Sequence, residues 1–124
     1  MKVLVIDDED DIRRIARLSL VKVGGLDVID APDGPAGVAR ASAESPDVIL
    51  LDVMMPGQDG PATLAALKSN AATAHIPVVF LTAKAMPEEI QRLLRLGVRG
   101  VLSKPFDPMR LPDELRSALA GDAP

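Results

Sequence analysis

Val48-Ile49-Leu50-Leu51-Asp52-Val53-Met54-Met55-Pro56-Gly57-Gln58-Asp59-Gly60-Pro61 decides the fold of this chain. Four aliphatic residues in a row, ending on a carboxylate, read as a short strand of a parallel sheet. Met-Met-Pro-Gly then makes a tight turn. Asp59-Gly60-Pro61 opens a helix: an Asp cap satisfies free amides, and proline suits the first helical position. In open parallel sheets ligands bind at the carboxyl ends of the strands, so Asp52 stands where a ligand would sit.

Outward from this unit the same alternation recurs. Strands are expected at about 2–6, 26–30, 47–51, 77–81 and 99–102, with helices beginning near 10, 34, 60, 87 and 109. In the first helix Ile12, Ile15, Ala16, Leu20 and Val23 follow 3/4 spacing and predict a buried stripe, which Gly24-Gly25 stops. Asp33-Gly34-Pro35 opens the second helix as Asp59-Gly60-Pro61 opens the third, and Pro77 and Pro87 open the fourth strand and helix. Five strand–helix units joined by right-handed crossovers predict a doubly wound α/β domain over 1–120, with 121–124 a short disordered tail.

Two further apolar runs end as the first does. Val3–Ile6 leads into Asp7-Asp8, and Val101-Leu102 into Ser103-Lys104. Carboxylates gathered at one sheet edge repel: a pair at about 4 Å costs roughly 1 kcal/mol in water and about 4 at an effective dielectric near 20. A divalent cation and the Lys104 ammonium would relieve that repulsion. Such a site suits a phosphoryl group.

Composition narrows the class. With 124 residues the chain can bury one real core, and 14 basic against 18 acidic residues give a net charge of −4 without a basic stripe for nucleic acid. There is no cysteine, hence no disulfide and no thiolate metal site. No apolar run approaches the roughly 20 residues that span a bilayer, and Met1-Lys2-Val3 enters a strand directly; a cytoplasmic protein is expected. Phe80 and Phe106 are the only aromatics, which disfavours ligands held by stacking. His75, the only histidine, falls in a loop.

Val5-Ile6-Asp7-Asp8-Glu9, Leu50 to Gly60, Phe80-Leu81-Thr82-Ala83-Lys84 and Ser103-Lys104-Pro105-Phe106, in this order and spacing, resemble the receiver domain of the two-component response regulators. The layout is similar to the single-domain chemotaxis regulators. The resemblance covers nearly the whole chain and implies a flavodoxin-like, five-stranded parallel sheet of order 2-1-3-4-5 with five helices on both faces. It further implies that Asp52 is the phosphoacceptor, attacking a phosphohistidine to form an acyl phosphate. By the same match Asp8 is a direct ligand of Mg²⁺ (or Mn²⁺), Asp7 acts mainly through a metal-bound water, and Met54 offers its backbone carbonyl. Lys104 pairs with a phosphoryl oxygen, the Thr82 hydroxyl reorients toward the phosphoryl group, and small Ala83 leaves the acceptor open. The Lys104–Pro105 peptide is expected to be cis. Asp10 and Asp11 suit only the positive end of a helix.

The implied partner is a histidine kinase or histidine phosphotransfer protein, docking over the first helix near Ile12, with Leu18 off the buried stripe. A monomer that is not a metabolic enzyme is expected. One departure stands out: Val101 occupies the place where receivers often carry an aromatic that moves with the Thr hydroxyl. Other readings fare worse. An aspartyl phosphatase of the haloacid-dehalogenase type wants an acid where Met54 stands. An FMN carrier would meet Asp7-Asp8-Glu9-Asp10-Asp11 where its phosphate binds, and a phosphorylation-independent pseudo-receiver would not need every acceptor, metal and lysine position filled.

Overall fold

Continuous apolar strands whose side chains point alternately to opposite sides supply a core on both faces of the sheet. In a computed structural model, which describes residues 1–121, the strands are β1 (Lys2–Ile6), β2 (Asp27–Ala31), β3 (Val48–Asp52), β4 (Val78–Thr82) and β5 (Gly100–Ser103). All pair in parallel in the order β2-β1-β3-β4-β5. The helices are α1 (Asp10–Leu18, continued by a π-helical turn over Ser19–Val23), α2 (Gly34–Glu44), α3 (Gly60–Lys68), α4 (Pro87–Leu94) and α5 (Leu111–Ala120). One layer packs Val3, Val5, Val48, Leu50, Val79 and Leu81 under Ala16 and Leu20 of the first helix and Leu111 and Leu115 of α5. The opposite layer packs Leu4, Ile6, Ile49, Leu51, Val78 and Phe80 under α2, α3 and α4. The doubly wound sheet is therefore as expected.

Local chemistry explains the helix starts. Asp33 Oδ1 accepts from the Ala36 amide at 2.8 Å and Asp59 Oδ1 from the Ala62 amide at 2.9 Å, each with proline in the first turn. Gly60 is required by closeness: a Cβ there would lie 2.7 Å from the Asp52 carbonyl oxygen and from Val53 Cα. Gly57, at φ +77°, turns the loop in the left-handed region that other residues avoid.

Several expectations need correction. Four strands begin and end one residue later than expected, so Asp52 and Thr82 are the last residues of their strands and not the first beyond them. The fifth helix begins at Leu111, two residues past the expected start. The stripe of the first helix holds only in part: Ala16 and Leu20 are buried and Ile12 half-buried, but Ile15 and Val23 are exposed. Small Ala16 brings the helix close to the sheet and leaves Ile15 on its flank. The π turn, in which the Gly24 amide bonds the Ser19 carbonyl five residues back, then rotates Val23 outward. Leu18 is exposed, as expected off the stripe. Of the tail expected at 121–124, Gly121 caps α5 at φ +77°, and the rest lies outside the described residues.

Candidate functional site

Sheet register builds the site. Ile6 pairs with Leu51, so one residue further on Asp7 comes beside Asp52; neighbouring strands lie about 4.8 Å apart. Parity does the rest. Asp7 follows Val3 and Val5, Asp52 follows Val48 and Leu50, and Lys104 follows Leu102, all on the layer beneath α1 and α5. The three side chains thus point the same way at the carboxyl edge. Asp8 projects beside them, and one carboxylate oxygen each from Asp7, Asp8 and Asp52 lies within 4.8 Å of the others.

Lys104 is the cation of this cluster. Its Nζ is 2.8 Å from Asp7 Oδ2, 3.3 Å from Asp52 Oδ1 and 3.9 Å from Glu9 Oε1. The Lys104–Pro105 peptide is cis, and the Lys104 amide donates to the Thr82 carbonyl at 2.8 Å, tying the lysine to the end of β4. Asp7 Oδ1 accepts from the Glu9 amide at 2.9 Å. Asp7 Oδ2, although close to Lys104, is buried and accepts no hydrogen bond. Asp52 Oδ1 also accepts, at 3.4 Å, from the Met54 amide.

Burial, together with the charge of Asp7, pushes the Asp52 carboxyl up to about 6, and the Lys104 ammonium only partly offsets this. For Lys104 burial disfavours the charge, yet Asp7 and Asp52 outweigh it and raise its pKa. Two buried carboxylates and one ammonium leave the site short of positive charge. Asp7 Oδ2, buried with no partner beyond its ion pair with Lys104, and the oxygen-only donor set fit a hard divalent cation, with the exposed Asp8 completing the cluster. Asp8→Ala should accordingly abolish Mg²⁺-induced NMR shifts and Asp7→Ala weaken them, with unchanged affinity in both variants as the outcome that rejects the site.

Thr82 is buried at the end of β4, and its Oγ1 accepts from the Lys84 amide at 3.0 Å. Ala83 is exposed beside it and Met54 has an exposed side chain. A cleft next to this edge is lined by Met54, Met55, Thr82, Lys84 and Arg92. Val101 is half-buried against the layer of α2 to α4, and His75 is an exposed loop residue away from the cluster. Two contributors escaped the sequence reading: Glu9 as a distant partner of Lys104, and Arg13, which donates to the Asp7 carbonyl. The spacing of Asp10 and Arg13, one helical turn apart, was the only signal for the arginine. No helix of the described residues is long and apolar enough to cross a membrane.

Comparison with known proteins finds relatives of this sequence and of this fold. The family described as "Response regulator receiver domain" matches residues 3–116. Protein PilG of Pseudomonas aeruginosa is 38% identical over 124 residues, all of this chain and 88% of that protein. The probable transcriptional regulator ycf27 of Porphyridium aerugineum is 38% identical over 95% of this chain, and Response regulator PleD of Caulobacter vibrioides 39% over 94%. The chain spans only 48% and 25% of the length of these last two. Among solved structures, chemotaxis response regulator CheY4 of Vibrio cholerae superposes with a TM-score of 0.86 at 33% identity, covering 94% of this chain and 97% of that one.

Proposed function

The chain belongs to the response regulator receiver domains of two-component signalling, and from that premise we propose that it accepts a phosphoryl group on Asp52 from a phosphohistidine donor. What carries the proposal is the Asp52 carboxylate, at the end of the central strand, 3.3 Å from the Lys104 ammonium and clustered with Asp7 and Asp8. An Asp52 oxygen attacks phosphorus, the P–N bond breaks with its electron pair leaving on the imidazole nitrogen, and an aspartyl phosphate results. Lys104, already beside the acceptor, turns from Asp7 and Asp52 to a phosphoryl oxygen and balances charge as it develops. Mg²⁺, held by Asp7, Asp8, Asp52 and the Met54 carbonyl, would supply further positive charge to the phosphoryl oxygens. The Thr82 hydroxyl, which accepts from the Lys84 amide and faces the Lys84 carbonyl at 3.5 Å, would redirect its proton from that carbonyl to the new phosphoryl group, which links transfer to the loop after β4.

A histidine kinase or histidine phosphotransfer protein is the proposed donor, docking over α1, where Ile12 is half-buried and Ile15 and Leu18 stand exposed. Turnover of a metabolite is not proposed: the position two after the acceptor is Met54, whose thioether can neither give nor take a proton. Incubated with acetyl phosphate and Mg²⁺, the protein should gain one phosphoryl group by intact mass, and hydroxylamine should remove it as an acyl phosphate. No uptake, or a hydroxylamine-resistant phosphoester, would overturn the proposal.

A further inference from the structure

Arg13 sits one turn into α1 with a side chain only 15% exposed, whereas adjacent Arg14 is 71% exposed. Its Nη1 donates to the Asp7 carbonyl oxygen at 2.7 Å, its Nη2 pairs with the Asp10 carboxylate, and its Nε lies 3.9 Å from Asp30 Oδ2 on β2. Arg17 approaches the same Asp30 oxygen at 3.5 Å, so the far side of the guanidinium is anchored to the sheet edge. None of these contacts uses a carboxylate oxygen of Asp7, Asp8 or Asp52. The proposed phosphoryl transfer has no role for this side chain.

Asp7 is the first residue beyond β1. Its amide still bonds the Ala31 carbonyl at 3.2 Å, and its own carbonyl accepts from Arg13 Nη1. That carbonyl shares one rigid plane with the Asp8 amide, so fixing it fixes the orientation from which the Asp8 side chain departs. Asp8 is exposed, and no hydrogen bond within the described residues holds its carboxylate. We infer that Arg13 is a positioning residue for the divalent-cation site, holding the Asp7–Asp8 peptide so that the Asp8 carboxylate joins those of Asp7 and Asp52. This inference rests on the cation site proposed above. A guanidinium can do this because its planar fork reaches a carbonyl and flanking carboxylates at once, which the single ammonium of a lysine cannot.

Charge and geometry predict opposite signs. A nearby positive charge repels a metal ion, so if Arg13 acted by charge alone, its removal would tighten binding. As a positioning residue its loss weakens binding, by about tenfold, the lower end of what outer-sphere partners of metal ligands contribute. Arg13→Lys keeps the charge and isolates the geometry. Titration of the full chain with Mg²⁺, by calorimetry and NMR, should show affinity weakened in Arg13→Lys and also in Arg13→Met, despite the lost cation. Without metal, the Asp7 carbonyl-carbon and Asp8 amide resonances of Arg13→Lys should already be displaced, while those of Val48–Leu50 stay in place. Parent-like or tighter affinity in Arg13→Lys overturns the inference, and if Arg13→Met fails to fold, Arg13→Lys alone decides. A parent protein that bound no Mg²⁺ would instead remove the cation site itself, and this inference with it.

Discussion

Asp52→Asn should take up no phosphoryl group from acetyl phosphate and Mg²⁺, and at pH 7 without metal it should be more stable than the parent. The first result follows from loss of the nucleophile. A phosphate appearing on Ser103 or Thr82 in the variant would reject the acceptor assignment. The second follows from burial. The Asp52 carboxyl rises from 3.8 to about 6 on folding because it is taken out of water beside Asp7. A raised carboxyl pKa means that the folded state holds the proton more tightly than the unfolded one. Stability is therefore greatest below the unfolded value and is lost as pH rises through about 4 to 6. A gap of about two units corresponds at most to roughly 3 kcal/mol. Because the site relaxes and an amide makes its own contacts, a gain of about 1–2 kcal/mol is expected, a shift of several degrees for a domain of this size. At pH 4 the gain should vanish, since the parent is then protonated. A less stable variant at pH 7, or a gain that persists at pH 4, would show that the buried charge is not the cause.

That instability was half legible in the sequence. Apolar runs ending on Asp7-Asp8, Asp52 and Lys104 located the site, because strand periodicity and the position of ligands in parallel sheets are general rules. Asp33-Gly34-Pro35 and Asp59-Gly60-Pro61 located two helix starts because capping is local chemistry. What depends on distant partners was not legible. The one-residue shift of four strands reflects pairing with neighbours, as when the Ile49 amide bonds the Pro77 carbonyl. The outward turn of Val23 depends on a π turn to which a 3.6-residue period is blind. Arg13 was missed because its partner is a backbone carbonyl, which carries no residue-type signature. In the pair Arg13-Arg14 only packing tells the buried arginine from the solvated one.

Lys104→Ala is expected to destabilise the metal-free protein by about 3 kcal/mol, the cost of stranding buried carboxylates when one partner of an ion pair is removed. The exposures justify a buried-pair figure: 12% for the Lys104 side chain, 1% for Asp7 and 4% for Asp52. With the ammonium gone, only the Met54 and Glu9 amides remain against the repulsion between Asp7 and Asp52, and the Asp52 pKa rises further. The loss should then be largest at neutral pH and shrink as Asp52 is protonated. Mg²⁺ should reverse it, and by more than it stabilises the parent, because the cation no longer competes with Lys104 for Asp7 and Asp52. At a hundredfold excess over its dissociation constant a ligand adds about 2.7 kcal/mol, enough to recover most of the loss. Phosphoryl uptake should still suffer, since the metal cannot take over the phosphoryl oxygen assigned to Lys104. Asp52→Asn combined with Lys104→Ala should be more stable than Lys104→Ala alone, because one stranded charge is gone. Denaturant unfolding of the four proteins with and without Mg²⁺ measures that coupling directly. If Lys104→Ala unfolds at the parent midpoint and binds Mg²⁺ with parent affinity, the lysine is not the counterion that holds this acidic edge together.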